Sequence, residues 1–442
     1  MQSSSGIDIN SEMIIQKSAR YIAGGVASVN RMVKPHIVFE KAKGSKIYDI
    51  DGKEYIDYHA AFGPFLLGHN FDLVNRAVTD AMQHELSLTG SGTNGSEARL
   101  AELLCENIPS LELVQIANTG SEATAHAIRV SRAFTGREDI VLVLGGYNGW
   151  HNEVAREVMP SLEQIKDRIV CGEYPFLAAS AGIPEDTKKK VHIINFNDLE
   201  SLEYVLRKYA VACVLTEPVL QNIGVVLPQP GYLENLYKLC EDYGAVCIFD
   251  EVKTGFRCGL GGYQSVCNVT PHLSVFAKAI ANGFPLAAIG GKKEIMELFG
   301  TNDHSKRVLL AGTYNAHPFN AAAAIATIEF LEEEGVYQSI NKTSELLYQH
   351  LYELFEEKGL ETVINSNASA FCVYFCRQQP QDLHDILYNH NFELDKKYRK
   401  ELIKRGIYHI PIPCKQGSVS FSHTEEDIFK TIEVTREVLK II

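Results

Sequence analysis

Nowhere in this sequence does an uninterrupted apolar run approach the roughly 18 residues that a membrane-spanning helix needs. The opening "MQSSSGIDIN" has no basic stretch followed by an apolar one, so no secretory leader is expected. The C-x₂-C pairs of a zinc knuckle are missing too. Ten cysteines lie scattered from Cys105 to Cys414, in a chain too large to need disulfide staples. They are expected to be reduced and mostly buried. Basic residues are also in short supply, 42 Lys and Arg against 55 Asp and Glu, for a formal charge of -13. Such a surface repels phosphate at long range, which argues against nucleic acid or an anionic membrane as a partner. A soluble cytoplasmic protein is expected.

What is there is a large core. The chain has 442 residues, of which 45% are hydrophobic and 22% charged, enough for one large domain with a smaller one beside it. Residues 37–58, "IVFEKAKGSKIYDIDGKEYIDY", read as short strands turned at "KGS" and "DGK". The pattern turns helical in "FDLVNRAVTDAMQHE" and again in "SEARLAELLCENI", where Ser96 can cap the first turn. Then come short apolar runs, "LELVQIA", "DIVLVL", "VACVLTE", "AVCIFDE" and a possible strand in "HLSVFAK", alternating with helical segments. Runs apolar on both faces and separated by helices predict an α/β domain whose mostly parallel central sheet is covered on both sides. A long helical pattern over residues 320–359 leads out of that region, and the remainder reads as α+β. The expected division is an N-terminal arm and hairpin region over 1–70, allied to the small domain, a large α/β domain over 71–330, and a small α+β domain over 331–442.

Three pieces carry chemistry. In "AVCIFDEVKTGF" an apolar strand ends in Asp250 and Glu251, at the sheet edge where α/β proteins place ligands. A carboxylate there can hold a proton on a heteroaromatic nitrogen, or the pair can simply cap the next turn. Lys278, in "SVFAKAIANGFPLAAIGG", stands among apolar and small residues, where an amine loses its proton more readily and can condense with an aldehyde. It could equally extend an ammonium out of an apolar collar. In "QIANTGSEATAHAIRVSR" a strand stops and a helix begins whose free amides could hold a phosphate, with Thr119, Gly120 and Ser121 at the turn. An ordinary helix cap would look the same. Together the three describe one cofactor, pyridoxal 5'-phosphate.

At this point the sequence resembles the class III aminotransferases, pyridoxal-phosphate enzymes of fold type I. The motifs run in order along most of the chain: "DIDGKEYIDYHAAFGPFLLGH", "NTGSEA", "TEPV", "FDEVKTGFR", "FAKAIANGFPLAAIGG" and "GTYNAHP". The branch it most resembles is that of glutamate-1-semialdehyde 2,1-aminomutase. The resemblance implies that Lys278 forms a Schiff base and moves the substrate proton, and that Asp250 pairs with the pyridine nitrogen. It implies that Thr119, Gly120 and Ser121 cup the phosphate and that Tyr147 stacks on the ring. Glu217 and Asn222 would lie on the ring's hydroxyl side, and Thr313 would reach the phosphate of the other subunit in a homodimer with shared sites.

Substrate residues follow in the same way. Arg31 matches the arginine that holds a substrate carboxylate, a role suited to a bidentate guanidinium. Phe62 stands where the mutase has tryptophan, Asn148 where the family has the histidine of "YHG", and Lys415 where the mutase carries a glutamate. These departures tilt the reading toward transfer of an amino group from a carboxylate-bearing amino acid or amine to a separate keto acid. The alternative is intramolecular transfer of the mutase type. A scaffold that has lost its chemistry would lack the lysine or the ring-facing acid, and both are present. A metal site is not expected, since His151, His192, His317 and His423 lie far apart without ligand spacing.

Overall fold

The computed structural model describes residues 11–442, so the N-terminal decapeptide, where no leader is expected, lies outside the described residues. Strands β1 (Phe39–Lys43), β2 (Lys46–Asp49) and β3 (Glu54–Asp57) form an antiparallel meander. Its turns fall on Gly44 and Gly52, at φ +60° and +84°, where "KGS" and "DGK" place them.

Seven strands make the central sheet: β4 (Leu113–Ala117), β5 (Asp139–Val143), β6 (Val191–Ile194), β7 (Val211–Thr216), β8 (Val246–Asp250), β9 (Leu273–Phe276) and β10 (Ala287–Gly291). Their order is β4-β10-β9-β8-β7-β5-β6. The run from β9 through β8, β7 and β5 to β6 is parallel, while β10 is antiparallel to both of its neighbours. Strands β6, β7, β8 and β9 are buried at every position, which is why their sequences show no polar alternation. Two strands escape the sequence pattern. The segment "AAIGG" of β10 is small and glycine-rich because it is closely packed: a Cβ on Gly290 would lie 2.5 Å from Leu111 Cγ and 2.7 Å from the Leu113 carbonyl. Strand β6 escapes because the buried His192 interrupts its short apolar run.

The helix Gly120–Thr135 starts three residues beyond β4 and lays Ala123, Ala127, Ile128 and Val130 against the sheet core. Asn94 caps the helix Gly95–Asn107, its side chain accepting from Glu97 N at 2.9 Å, so the cap expected from Ser96 lies two residues earlier. The long helical pattern proves to be two helices, Pro318–Leu331 and Val336–Glu357, parted at Gly335 with φ +92°. Beyond them, β11 (Val363–Asn367), β12 (Ala370–Tyr374) and β14 (Gly417–Ser418) form a third sheet, and β13 (Ile407–Tyr408) joins β3 in parallel. Ile56 and Tyr58 share a core cluster with Leu347, Leu351, Phe371, Leu402 and Val438. The N-terminal meander thus packs with the C-terminal third of the chain. Among the described residues no helix is long and apolar enough to cross a membrane. None of the ten cysteines is in a disulfide, and six of them are buried.

Candidate active site

The carboxyl ends of β8 and β9 bring the two sequence candidates into one electrostatic field. Asp250 is the last residue of β8 and is buried. Burial and the nearby Glu217 push its carboxyl up to about 7, against the pull of Asn148, the Val252 N–H and Lys278. Lys278 follows β9 with φ +52°, a strained conformation for a lysine, and opens a short 3₁₀ turn. Among the described residues its Nζ makes no hydrogen bond and no ion pair within 4 Å. Burial draws its ammonium below the usual lysine range, with Asp250 and Glu217 opposing. The neighbouring acid serves the backbone instead, since Glu251 accepts from Thr254 Oγ1 and from the N–H groups of Tyr263 and Gln264, closing the following turns. Of the pair, then, the second carboxylate is structural and the first faces the site.

Asn148 resolves its own departure from the family pattern. Its Nδ2 donates to Asp250 Oδ2 at 2.8 Å, while its backbone carbonyl accepts from Thr124 Oγ1 at 2.7 Å. A neutral amide therefore fixes the orientation of the buried acid. Its amide lies beside Asp250. Asn148→Ala should strand a buried carboxyl oxygen, lowering stability by about 1–3 kcal/mol. Urea denaturation should show the loss, and Asn148→Gln should fail to restore it fully because the longer arm misplaces the donor.

On the other side of the site, Glu217 gathers donors from three residues. Asn222 Nδ2 reaches both its oxygens at 2.9 and 3.1 Å, Tyr147 N reaches Oε1 at 2.8 Å, and Gln221 N reaches Oε2 at 3.2 Å. Tyr147, Glu217 and Asn222 are thereby held as one unit. The phosphate-like cradle sits at the start of the helix Gly120–Thr135. Thr119 is its N-cap and forms a capping box with Glu122, so the threonine oxygen already accepts from the Glu122 N–H at 3.2 Å. The Gly120 and Ser121 N–H groups, first in the helix, have no intrahelical partner. A Cβ on Gly120 would lie 3.0 Å from Val252 Cγ2, so a side chain there would press on that valine.

The remaining candidates have different fates. Phe62 lies against His59, ring centroids 4.3 Å apart, in a turn where Ala60, Ala61 and Phe62 all have positive φ. Lys415 is partly buried, and its Nζ donates to the Asn222 carbonyl at 2.6 Å. Arg31 is exposed on a 3₁₀ turn, and no hydrogen bond or ion pair joins it to the other site residues. Thr313 is exposed as well, two residues from Asn315, whose Oδ1 accepts from Asn118 Nδ2 at 2.8 Å beside the cradle.

Sequence reasoning missed Val252, Lys253 and Gln416. Lys253 Nζ donates to the Gln221 carbonyl at 2.9 Å and to Gln416 Oε1 at 3.0 Å. The signal for it is in "FDEVKTGF", where a lysine three residues past a site carboxylate stays within reach of the same strand end.

Residues 27–402 match the sequence model of the family described as aminotransferase class-III. The chain is 36% identical over 430 residues to a glutamate-1-semialdehyde 2,1-aminomutase of Archaeoglobus fulgidus, covering 97% of this chain and 99% of that one. Among solved structures it is similar to an omega-transaminase from Sphaerobacter thermophilus, with a TM-score of 0.89, 26% identity and 97% of each chain covered. It is also similar to a transaminase with PLP bound, with a TM-score of 0.86, 25% identity, and 99% and 98% of the two chains covered.

Proposed function

The chain belongs to the class III aminotransferases, pyridoxal-phosphate-dependent enzymes of amino-group transfer, and from that premise we propose that it passes an amino group from a carboxylate-bearing donor to a separate keto acid. The observation that carries the reading is Lys278, an unpaired amine at a strand end with its ammonium drawn down and a buried carboxyl in the same field.

The residues fit the cofactor. The free N–H groups of Gly120 and Ser121 suit a phosphate, with the helix dipole behind them. Asp250, already oriented by Asn148, suits a protonated ring nitrogen, and the Tyr147–Glu217–Asn222 unit suits the ring's other edge. When bound, pyridoxal phosphate supplies an aldehyde for the amine and a ring that accepts electrons from the substrate carbon. Lys278 would condense with that aldehyde, and once displaced by the incoming amine would take the proton from the donor's Cα. Asp250 would keep the ring nitrogen protonated, and Phe62 would wall the substrate side.

Phe62 and Lys415 depart from the mutase pattern and Asn148 from that of the wider family, and together these departures favour an external acceptor. Homodimeric assembly with shared sites is supported by the exposure of Thr313 among large exposed apolar side chains. Tyr314, the next residue, is 63% accessible, and Leu309 and Trp150 are each 70% accessible, large apolar side chains that an assembly interface would cover. A cytoplasmic location fits the reduced cysteines. The three-part division at about residues 70 and 330 is supported by the shared core of the N-terminal meander and the C-terminal third.

A ¹⁵N-labelled amino donor incubated with pyruvate or 2-oxoglutarate tests the reading. Label should appear in the amino acid formed from the acceptor. Acceptor-free conversion of glutamate-1-semialdehyde to 5-aminolevulinate, with negligible transfer of label to either keto acid, would establish the mutase alternative instead.

A further inference from the structure

We infer that Lys253 and Lys415 form an anion subsite beside Lys278 that takes a second carboxylate, at the far end of a dicarboxylic substrate. The inference rests on the aminotransferase reading and names its substrate class.

The two ammonium groups bind consecutive carbonyls. Lys253 Nζ donates to Gln221 O at 2.9 Å, and Lys415 Nζ donates to Asn222 O at 2.6 Å. Both lysines are partly buried, yet among the described residues neither has a carboxylate oxygen within 4 Å. Hydrogen bonds to backbone carbonyls hold them in place without neutralising them. Lys253 uses two of its three N–H donors, the second on Gln416 Oε1, and Lys415 uses one. Donors are left over, as is charge.

The surroundings add to the imbalance. Arg257 is fully buried, with its guanidinium on Ser369 Oγ and the Gly63 carbonyl and its Nε unpartnered. Glu217, the acid whose charge acts on both lysines, is already engaged by Asn222, Tyr147 N and Gln221 N. The Gln221 side chain is buried with neither its nitrogen nor its oxygen paired. Cations gathered like this repel one another and lose hydration, a cost that an incoming anion offsets. Burial and the like charge of Lys278 draw the Lys253 ammonium well below its usual range, and burial draws Lys415 down too.

Lys415 is held from behind. Arg399 donates to its carbonyl at 3.0 Å and is itself paired with buried Asp395 at 2.6 Å, so the subsite has a rigid backing. The phosphate cradle occupies a different place, at the start of the helix Gly120–Thr135, which leaves these cations for substrate.

Holoenzyme titrated with glutarate and with butyrate, read by the change in cofactor absorbance, tests the subsite. Wild type should bind glutarate at least about 10-fold more tightly than butyrate, and Lys253→Met and Lys415→Met should each lower that ratio by about 10-fold. Lys253→Arg should keep most of it. If the methionine variants fail to fold, Lys253→Gln and Lys415→Gln decide by the same ratio. A ratio near one in wild type, or a ratio unchanged in folded, cofactor-loaded variants, overturns the subsite. Label transfer to pyruvate alongside a ratio near one would leave the aminotransferase reading standing. Absence of cofactor absorbance from wild type would remove both.

Discussion

Replacing Lys278 with alanine should lower amino transfer by about 10³- to 10⁴-fold, since the variant loses the group that moves the substrate proton. The loss should be chemical and not one of packing. The ammonium of Lys278 is held below its unfolded value, so at neutral pH the unfolded chain binds this proton more readily than the folded one does. Below the ordinary lysine range the group therefore costs stability, and removing it should leave the thermal midpoint level or higher. Borohydride reduction of the wild-type holoenzyme, followed by peptide mapping, should place the pyridoxyl adduct on Lys278. An adduct on Lys253, the neighbouring buried amine, would reverse the assignment of the two lysines.

Asp250→Asn should reduce turnover by about 10²- to 10³-fold, because a fixed charge opposite the developing charge is removed while Asn148 still has an oxygen to donate to. The same substitution should change how the apoenzyme responds to pH. The carboxyl is pushed up to about 7 from an ordinary value of 3.8, so between those values the folded state keeps a proton that the unfolded state has released. Stability from this group is then present below the unfolded value and falls as pH rises through the window. In the cofactor-free protein, denaturation at pH 5 and pH 8 should differ more for wild type than for the asparagine variant. Parallel curves would place Asp250 outside a buried, uncompensated setting.

Much of the sheet is legible in the sequence because strands buried on both faces are mostly apolar. β5, β7 and β8 stand out for that reason, and β9 does through the lysine that follows it. β10 does not, since a strand squeezed between Leu111 and its neighbours is written in alanine and glycine and looks like a loop. The helix cap falls two residues from its expected place because Asn94 and Ser96 are both competent caps, and only the backbone decides between them. In the site, Asp250 and Lys278 are visible as strand-end residues. The contact that orients Asp250 spans 102 positions, and no local pattern announces it. Lys253 is hidden inside a familiar motif, and the covering of Lys415 depends on a carbonyl 193 residues away. Arg31 and Thr313 come from resemblance alone, and both are exposed in the single chain.

The left-handed turn at Ala60, Ala61 and Phe62 has a consequence for anyone evolving this enzyme toward heat. Each side-chain-bearing residue in that region carries about 1–3 kcal/mol that glycine would not. A selection for thermal tolerance would meet Ala61→Gly as an accessible gain. It would be taken from the same three dihedrals that hold Phe62 against His59, so resistance to heat would be gained by loosening the placement of that ring.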